Sequence, residues 1–138
     1  MVTKRVAAEG LATAGGTANR KAAGDAAEAQ ALRYLQTRGL RLVQRNYRVA
    51  KGPRARGGEI DLILRDADGT LVFCEVRARG TANHGGAAAS VSATKRASLL
   101  HAAQHYLMGL PSLPPCRFDV VAIDGGRIDW LAGAFDAT

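Results

Sequence analysis

Two strand-like runs separated by a five-residue turn constrain this chain most. They are Glu59-Ile60-Asp61-Leu62-Ile63-Leu64-Arg65 and Leu71-Val72-Phe73-Cys74-Glu75-Val76-Arg77, with Asp66-Ala67-Asp68-Gly69-Thr70 between them. A connector of that length and composition predicts an antiparallel hairpin. Residues two apart on a strand share a face, so Glu59 and Asp61 project together, and so do Glu75 and Arg77. Pairing Arg65 with Leu71 sets Ile63 opposite Phe73, Asp61 opposite Glu75, and Glu59 opposite Arg77. Two carboxylates then face each other with Cβ atoms roughly 4.5–5.5 Å apart, and like charges at that distance call for something positive between them. A divalent cation answers that need, and all-oxygen ligands select magnesium or manganese over zinc. A solvated sheet edge offers another account, in which Glu59 pairs with Arg77 and Asp61 with a different arginine. A two-residue shift in register would keep the same face and change the partners.

The rest of the chain supplies a layered α/β frame for this hairpin. Residues 1–19, rich in Ala, Gly and Thr and without a hydrophobic period, predict a flexible leader, followed by a single domain over 20–138. A helix is expected over 20–38, with Gly24, Glu28, Ala31 and Leu35 on one face, Ala27 and Leu32 beside them, and Gly39 ending it. Glu28 stands out, because its charge falls within the stripe that should meet the core. Leu40 to Val49 reads as a first strand. A second helix is expected over 88–108, with Ala93, Ala97, Leu100, Ala103 and Leu107 as its buried stripe. Arg117 to Ile123 reads as a further strand, and a short last one surrounds Ile128 and Trp130. The order helix, three strands, helix, strand, strand predicts a mixed sheet flanked by helices, with the strands on either side of the second helix parallel.

Charge and composition narrow the function. Lysine plus arginine number 19 against 12 acidic residues, a formal charge of +7. That balance favours an anionic partner, with nucleic acid first. From Arg38 to Arg56 the chain carries Arg38, Arg41, Arg45, Arg48, Lys51, Arg54 and Arg56 and no acidic residue. Such a run can follow a phosphate backbone without reading sequence, and a solvated basic face is the competing account. No apolar stretch suits a signal peptide or a membrane span, and Cys74 lies within an apolar run as a buried thiol would, so the expectation is a cytoplasmic protein with no membrane association. His101 and His105 lack the glutamate of a zinc-protease motif, and neither Gly57-Gly58 nor Gly85-Gly86 is followed by the Lys-Ser or Lys-Thr of a phosphate loop. Trp130 reads as an anchor for the last strand rather than a platform for stacking bases.

With those residues in view, the chain resembles the YraN-like predicted endonucleases, a family distantly similar to archaeal Holliday junction resolvases within the restriction-endonuclease-like superfamily. The resemblance runs through Gly24 and Glu28, Tyr34-Leu35, Gly39, Arg45-Asn46-Tyr47, Gly58 to Ile63, Phe73 to Arg79, Lys95 and Arg117 to Val121. It implies a restriction-endonuclease-like sheet on which Asp61, Glu75 and the backbone carbonyl of Val76 bind a metal ion, magnesium or manganese, with Glu28 approaching from the first helix and Glu59 and Arg77 beside them. The implied activity is hydrolysis of nucleic-acid phosphodiesters, in DNA repair or recombination. Arg45, Arg48, Lys51, Arg54, Arg56, Arg79 and Lys95 are the expected nucleic-acid contacts, and a homodimer would be needed to cut two strands symmetrically. Arg77 departs from the superfamily pattern, which has a lysine there. Arginine stays charged and so cannot act as a general base, although it can orient water or stabilise charge. Lys95 offers a substitute from the second helix, against its reading as a solvated helix lysine. A non-catalytic nucleic-acid-binding protein with the same fold is the alternative function, and a protein–protein adaptor is a third with little support in the sequence.

Overall fold

The hairpin forms around residues 66–70, where the Asp66 N–H donates to the Thr70 carbonyl at 2.9 Å and the Gly69 N–H to the Asp66 carbonyl at 3.0 Å. The computed structural model describes residues 2–5, 17–51, 57–79 and 91–135. Along these the chain runs β1 (Val2–Arg5), α1 (Thr17–Thr37), β2 (Arg41–Val49), β3 (Gly58–Arg65), β4 (Leu71–Arg79), α2 (Ala93–Met108), β5 (Cys116–Asp124) and β6 (Arg127–Phe135). The strands form one sheet in the order β1-β6-β5-β4-β3-β2. As expected from the crossover through α2, β4 and β5 are parallel, while every other neighbouring pair is antiparallel.

Four residues of the segment expected as a leader, Val2–Arg5, lie in the sheet. Val2–Arg5 pairs with β6 from Val2 opposite Trp130 to Arg5 opposite Arg127, and α1 begins at Thr17; residues 6–16 lie outside the described residues. A short edge strand is held by main-chain hydrogen bonds to its neighbour, and hydrophobic periodicity carries no signal for that.

Alternation along the strands feeds two cores, one on each face of the sheet. Ala27, Ala31, Leu32 and Leu35 of α1 pack on Leu62, Leu64, Val72, Cys74 and Val121, as the predicted stripe requires. The helix ends in a paired cap: Gly39 takes a φ of +94°, its N–H reaches the Gln36 carbonyl at 3.1 Å, and the Leu40 N–H reaches the Leu35 carbonyl at 3.2 Å. Leu40 is then buried beside Leu35, which fixes where β2 starts. On the other face, Leu99, Ala102 and Ala103 of α2 pack on Ile63, Phe73, Phe118 and Val120.

The buried face of α2 is shifted to one side of the predicted stripe: Ala103 is buried as expected and Leu100 and Leu107 pack at the core's margin, while Leu99 and Ala102 lie deepest. Ala93 is exposed, Ala97, Leu100 and Leu107 are only half-buried, and the helix begins at Ala93 behind the N-cap Ser92; residues 81–90 are outside the described residues. Gly58 is the reason. A Cβ there would lie 2.6 Å from the Ser98 carbonyl oxygen and 3.0 Å from the Ala102 nitrogen, so the helix backbone rests directly on β3 along its Ser98-to-Ala102 side. Helical periodicity gives the width of an apolar stripe, whereas a close approach of two backbones sets its rotation.

Asp119 ties the far half of the sheet together. Its buried carboxylate accepts from Arg117 Nε at 3.0 Å, Trp130 Nε1 at 3.0 Å and the Gly133 N–H at 2.9 Å, and the Trp130 ring meets Tyr34 of α1 edge-on at 6.2 Å. Trp130 is thus an anchor, as expected. Both cysteines are free, with Cys74 buried and its thiol held well above its usual range, chiefly by burial.

Gly58→Ala is expected to destabilise the fold by about 1–3 kcal/mol, because the added methyl meets backbone rather than a movable side chain. Urea unfolding measures this. The helix must also lift from β3, so the same variant should disturb the groups that the first turn of α2 delivers, described below.

Candidate metal centre and nucleic-acid face

The hairpin register matches the expectation as far as the ladder extends, from Arg65 opposite Leu71 to Leu62 opposite Cys74. Beyond that point the side chain of Asp61 takes over from the backbone, and its Oδ2 accepts the Val76 N–H at 2.8 Å. The N–H and C=O of one strand residue point toward the same neighbour, so the Val76 carbonyl faces the same gap. Asp61, Glu75 and the Val76 carbonyl are brought together where the two strands part.

Side-chain alternation breaks at the same place. Leu62 and Leu64 pack on the α1 side of the sheet, but Ile60, which should share their face, packs on the α2 side with Ile63. On β2, Arg45 approaches Glu28 of α1, with Nη2 3.9 Å from Oε1, whereas the Tyr47 hydroxyl lies 2.6 Å from His105 Nδ1 of α2. Between them Asn46 has a φ of +52°. Asparagine is among the few residues besides glycine that enter this region. The register places Asn46 beside Asp61, with Arg45 opposite Leu62 and Tyr47 opposite Ile60, so both strands turn over together.

Glu75 is almost completely buried. Its Oε1 has no hydrogen-bond partner, and its Oε2 lies 3.6 Å from Arg77 Nη1 and 3.6 Å from Lys95 Nζ. Burial first, then the charge of Asp61 and a hydrogen bond with it, push its carboxyl up to about 8 against the opposing pull of Lys95 and Arg77. Desolvation wins here because two partly exposed cations cannot replace the water a buried carboxylate has lost. Glu28 is also raised, again by burial first and then by the charges of Asp61 and Asp25, with Arg45 and a hydrogen bond from Asn46 acting the other way. The misplaced carboxylate in the helical stripe is therefore a neighbour of Asp61.

Glu59 departs from its expected partner. The β3–β4 ladder does not reach Arg77, and Glu59 instead places Oε2 3.5 Å from Arg48 Nε and Oε1 3.9 Å from Lys95 Nζ, while its N–H donates to Ser98 Oγ at 3.3 Å. The turn of the strand at Asp61 separates it from the face it would otherwise share. Glu59 thus takes an arginine partner, Arg48 in place of the expected Arg77, while Asp61 accepts the Val76 N–H.

Lys95 is drawn into the centre, between Glu59 and Glu75, rather than left as a solvated helix lysine. Ser92 fixes its position by accepting the Lys95 N–H at 3.1 Å. A signal for this existed in the sequence: a lysine in the first turn of a helix opposes the helix dipole, and so needs a carboxylate from elsewhere.

The basic residues divide. Arg45, Arg48 and Lys51 are exposed along the edge strand β2 and its end, but Arg45 and Arg48 also turn toward Glu28 and Glu59. Arg79 closes β4 in register with Asp124, and Arg54 and Arg56 lie outside the described residues. His105 bonds the Tyr47 hydroxyl.

The donor set fits a hard cation. Asp61, the unpartnered buried Oε1 of Glu75 and, by the strand geometry at Val76, its carbonyl are oxygen donors, and Arg77 and Lys95 lie against the other oxygen of Glu75. Among the described residues no three His, Cys, Asp or Glu side chains gather as a metal-holding group.

A family model described as "Uncharacterised protein family UPF0102" matches residues 27–123, a span that includes Glu28, Asp61, Glu75 and Lys95. A UPF0102 protein of Methylibium petroleiphilum is 65% identical over 118 residues, covering 86% of this chain and 97% of that protein. One of Albidiferax ferrireducens is 62% identical over 117 residues, covering 85% and 89%. One of Cupriavidus necator is 53% identical over 118 residues, covering 86% of each.

The raised Glu75 carboxyl gives stability a definite pH dependence. The folded value of about 8 lies above the ordinary 4.5, so this contribution is fully present below pH 4.5 and is lost as pH rises through 8. Metal-free protein is expected to show a Tm that falls over this window, and Glu75→Gln should flatten the fall. Added manganese should stabilise increasingly as pH rises, since binding displaces the proton. A Tm profile of Glu75→Gln that parallels the wild type would refute the assignment.

Proposed function

This chain belongs to the uncharacterised protein family UPF0102, the YraN-like family, and on that footing we propose that it is a divalent-metal-dependent nuclease that hydrolyses nucleic-acid phosphodiesters, DNA foremost. The observation that carries this reading is the convergence of Asp61, buried Glu75 and the Val76 carbonyl where β3 and β4 part, with Lys95 and Arg77 at 3.6 Å from Glu75. Asp61, Glu75 and that carbonyl would hold magnesium or manganese. Such an ion supplies an activated water and offsets charge on the phosphoryl oxygens.

The protein's own groups then divide the remaining work. Asp61 holds the strands apart at the centre through the Val76 N–H. Lys95 acts as a positioning residue: as the Glu75 carboxylate turns to its ligand role, the ammonium can keep one contact with it and donate another to water or a phosphate oxygen. Glu59 holds Lys95 from the far side. Arg77 remains charged at any working pH and is suited to charge on the phosphoryl group rather than to proton transfer. Glu28 adds negative potential behind Asp61. Arg45, Arg48 and Lys51 bring the polyanion to the site, with affinity that falls steeply as salt rises. No helix of the described residues is long and apolar enough to cross a membrane, and a cytoplasmic setting is part of this proposal.

Manganese titration followed by thermal denaturation is the primary test. Wild type should shift upward and Asp61→Ala should not; a wild type without a shift would end the metal reading. Supercoiled, branched and single-stranded DNA offered with magnesium or manganese should be cut by wild type alone, and cleavage retained by Asp61→Ala would mark a contaminant. Lys95→Met is expected to lower kcat by about 10²–10³-fold, with KM little changed and the manganese shift intact. A manganese shift without cleavage of any substrate would favour a non-catalytic nucleic-acid-binding role.

A further inference from the structure

A cleft of about 980 Å³ opens beside the carboxylates, between the end of β2 and the first turns of α2; Arg48, Lys51, Gly58, Glu59, Thr94 and Ser98 line it. Glu59 belongs to both places. One of its oxygens lies 3.9 Å from Lys95, which also contacts Glu75, and the other lies 3.5 Å from Arg48 within the cleft. The cleft is therefore continuous with the proposed centre and separated from it by a single carboxylate.

The chemistry of the walls is specific in kind. One side offers the cations of Arg48 and Lys51, the other the hydroxyls of Thr94 and Ser98, and Val49 and Ala50 add apolar wall beside the cations. No aromatic ring is among the lining residues. Base-binding platforms on single strands rely on aromatic faces, whereas cations and hydroxyls match phosphate and sugar oxygens. The volume lies at the upper end of the range, roughly 300–1,000 Å³, that holds a small ligand. A nucleotide unit is of that size, and a base-paired duplex is larger than such a volume encloses.

We infer that this cleft seats the sugar-phosphate unit next to the phosphodiester at the Asp61–Glu75 centre, so that the protein engages an unpaired strand at that point. This inference rests on the proposed function for the identity of the neighbouring site, and on the cleft alone for the strand it accepts. The incoming phosphate takes Arg48 from Glu59, which leaves Glu59 to Lys95. Because the grip is on the backbone, bases are not distinguished. The same chemistry serves DNA and RNA.

Fluorescence anisotropy with labelled five-residue thymidylate and uridylate strands and a blunt duplex, in EDTA and over a range of salt, tests this. Wild type should bind the short single strands. Arg48→Ala/Lys51→Ala should weaken that binding by about tenfold or more, and should lower the log–log salt slope by about 0.7 for each cation removed. Thr94→Trp, which fills the cleft while keeping the charges, should abolish single-strand binding and spare the duplex. Preference for thymidylate or uridylate tells which sugar is favoured. Failure of wild type to bind either strand, an unchanged salt slope, or equal losses on duplex and single strands would overturn the inference. The manganese shift keeps the two readings apart: cleft-dependent binding without it sinks the metal centre alone, and a normal shift without cleft-dependent binding sinks the cleft alone.

Discussion

The bond from the Val76 N–H to the Asp61 carboxylate is the interaction on which the site depends. A ladder that continued past Leu62 and Cys74 would spend the polar groups of both strands on each other and close the gap. Substituting a side chain for a backbone acceptor lets the strands part while no buried N–H is left unpaired, a condition every interior donor must meet. The break in alternation at Asn46 and Asp61 is the same event seen from the side chains. It brings Glu28 from one layer and Lys95 from the other toward a single point between them.

Electrostatics at that point is unbalanced by design of the burial rather than by a shortage of cations. Glu75 has Arg77 and Lys95 beside it and still resists ionisation, because burial and Asp61 together outweigh both. A proton relieves the conflict up to about pH 8, and the proposed divalent cation would relieve it in the proton's place. The same conflict makes the site a local drain on stability, the usual condition of functional centres.

Two glycines set the frame around this centre. Gly39 ends α1 so that Leu40 turns into the core and β2 starts in register with β3, which carries Arg45 to Glu28 and Arg48 to Glu59. Gly58 lets α2 lie directly on β3, which brings the first turn of that helix, with Lys95, over the carboxylates. A basic edge strand that would otherwise be a plain solvated face therefore has two of its arginines tied into the acidic cluster.

The sequence by itself determined the hairpin register as far as the ladder runs, the helix-on-sheet layers, the cap at Gly39 and the parallel crossover, because each follows from local periodicity or turn chemistry. It also marked Glu28 as out of place in an apolar stripe. Tertiary structure alone decided the rest. The strand at Val2–Arg5 is held by the main chain of β6; the rotation of α2 follows from contact with Gly58; Glu59 is parted from Arg77 by the turn at Asp61; Lys95 joins the centre from twenty residues beyond Glu75. These are contacts between segments distant along the chain, and local pattern cannot carry them, since it records which face a residue presents and not what another element brings to meet it.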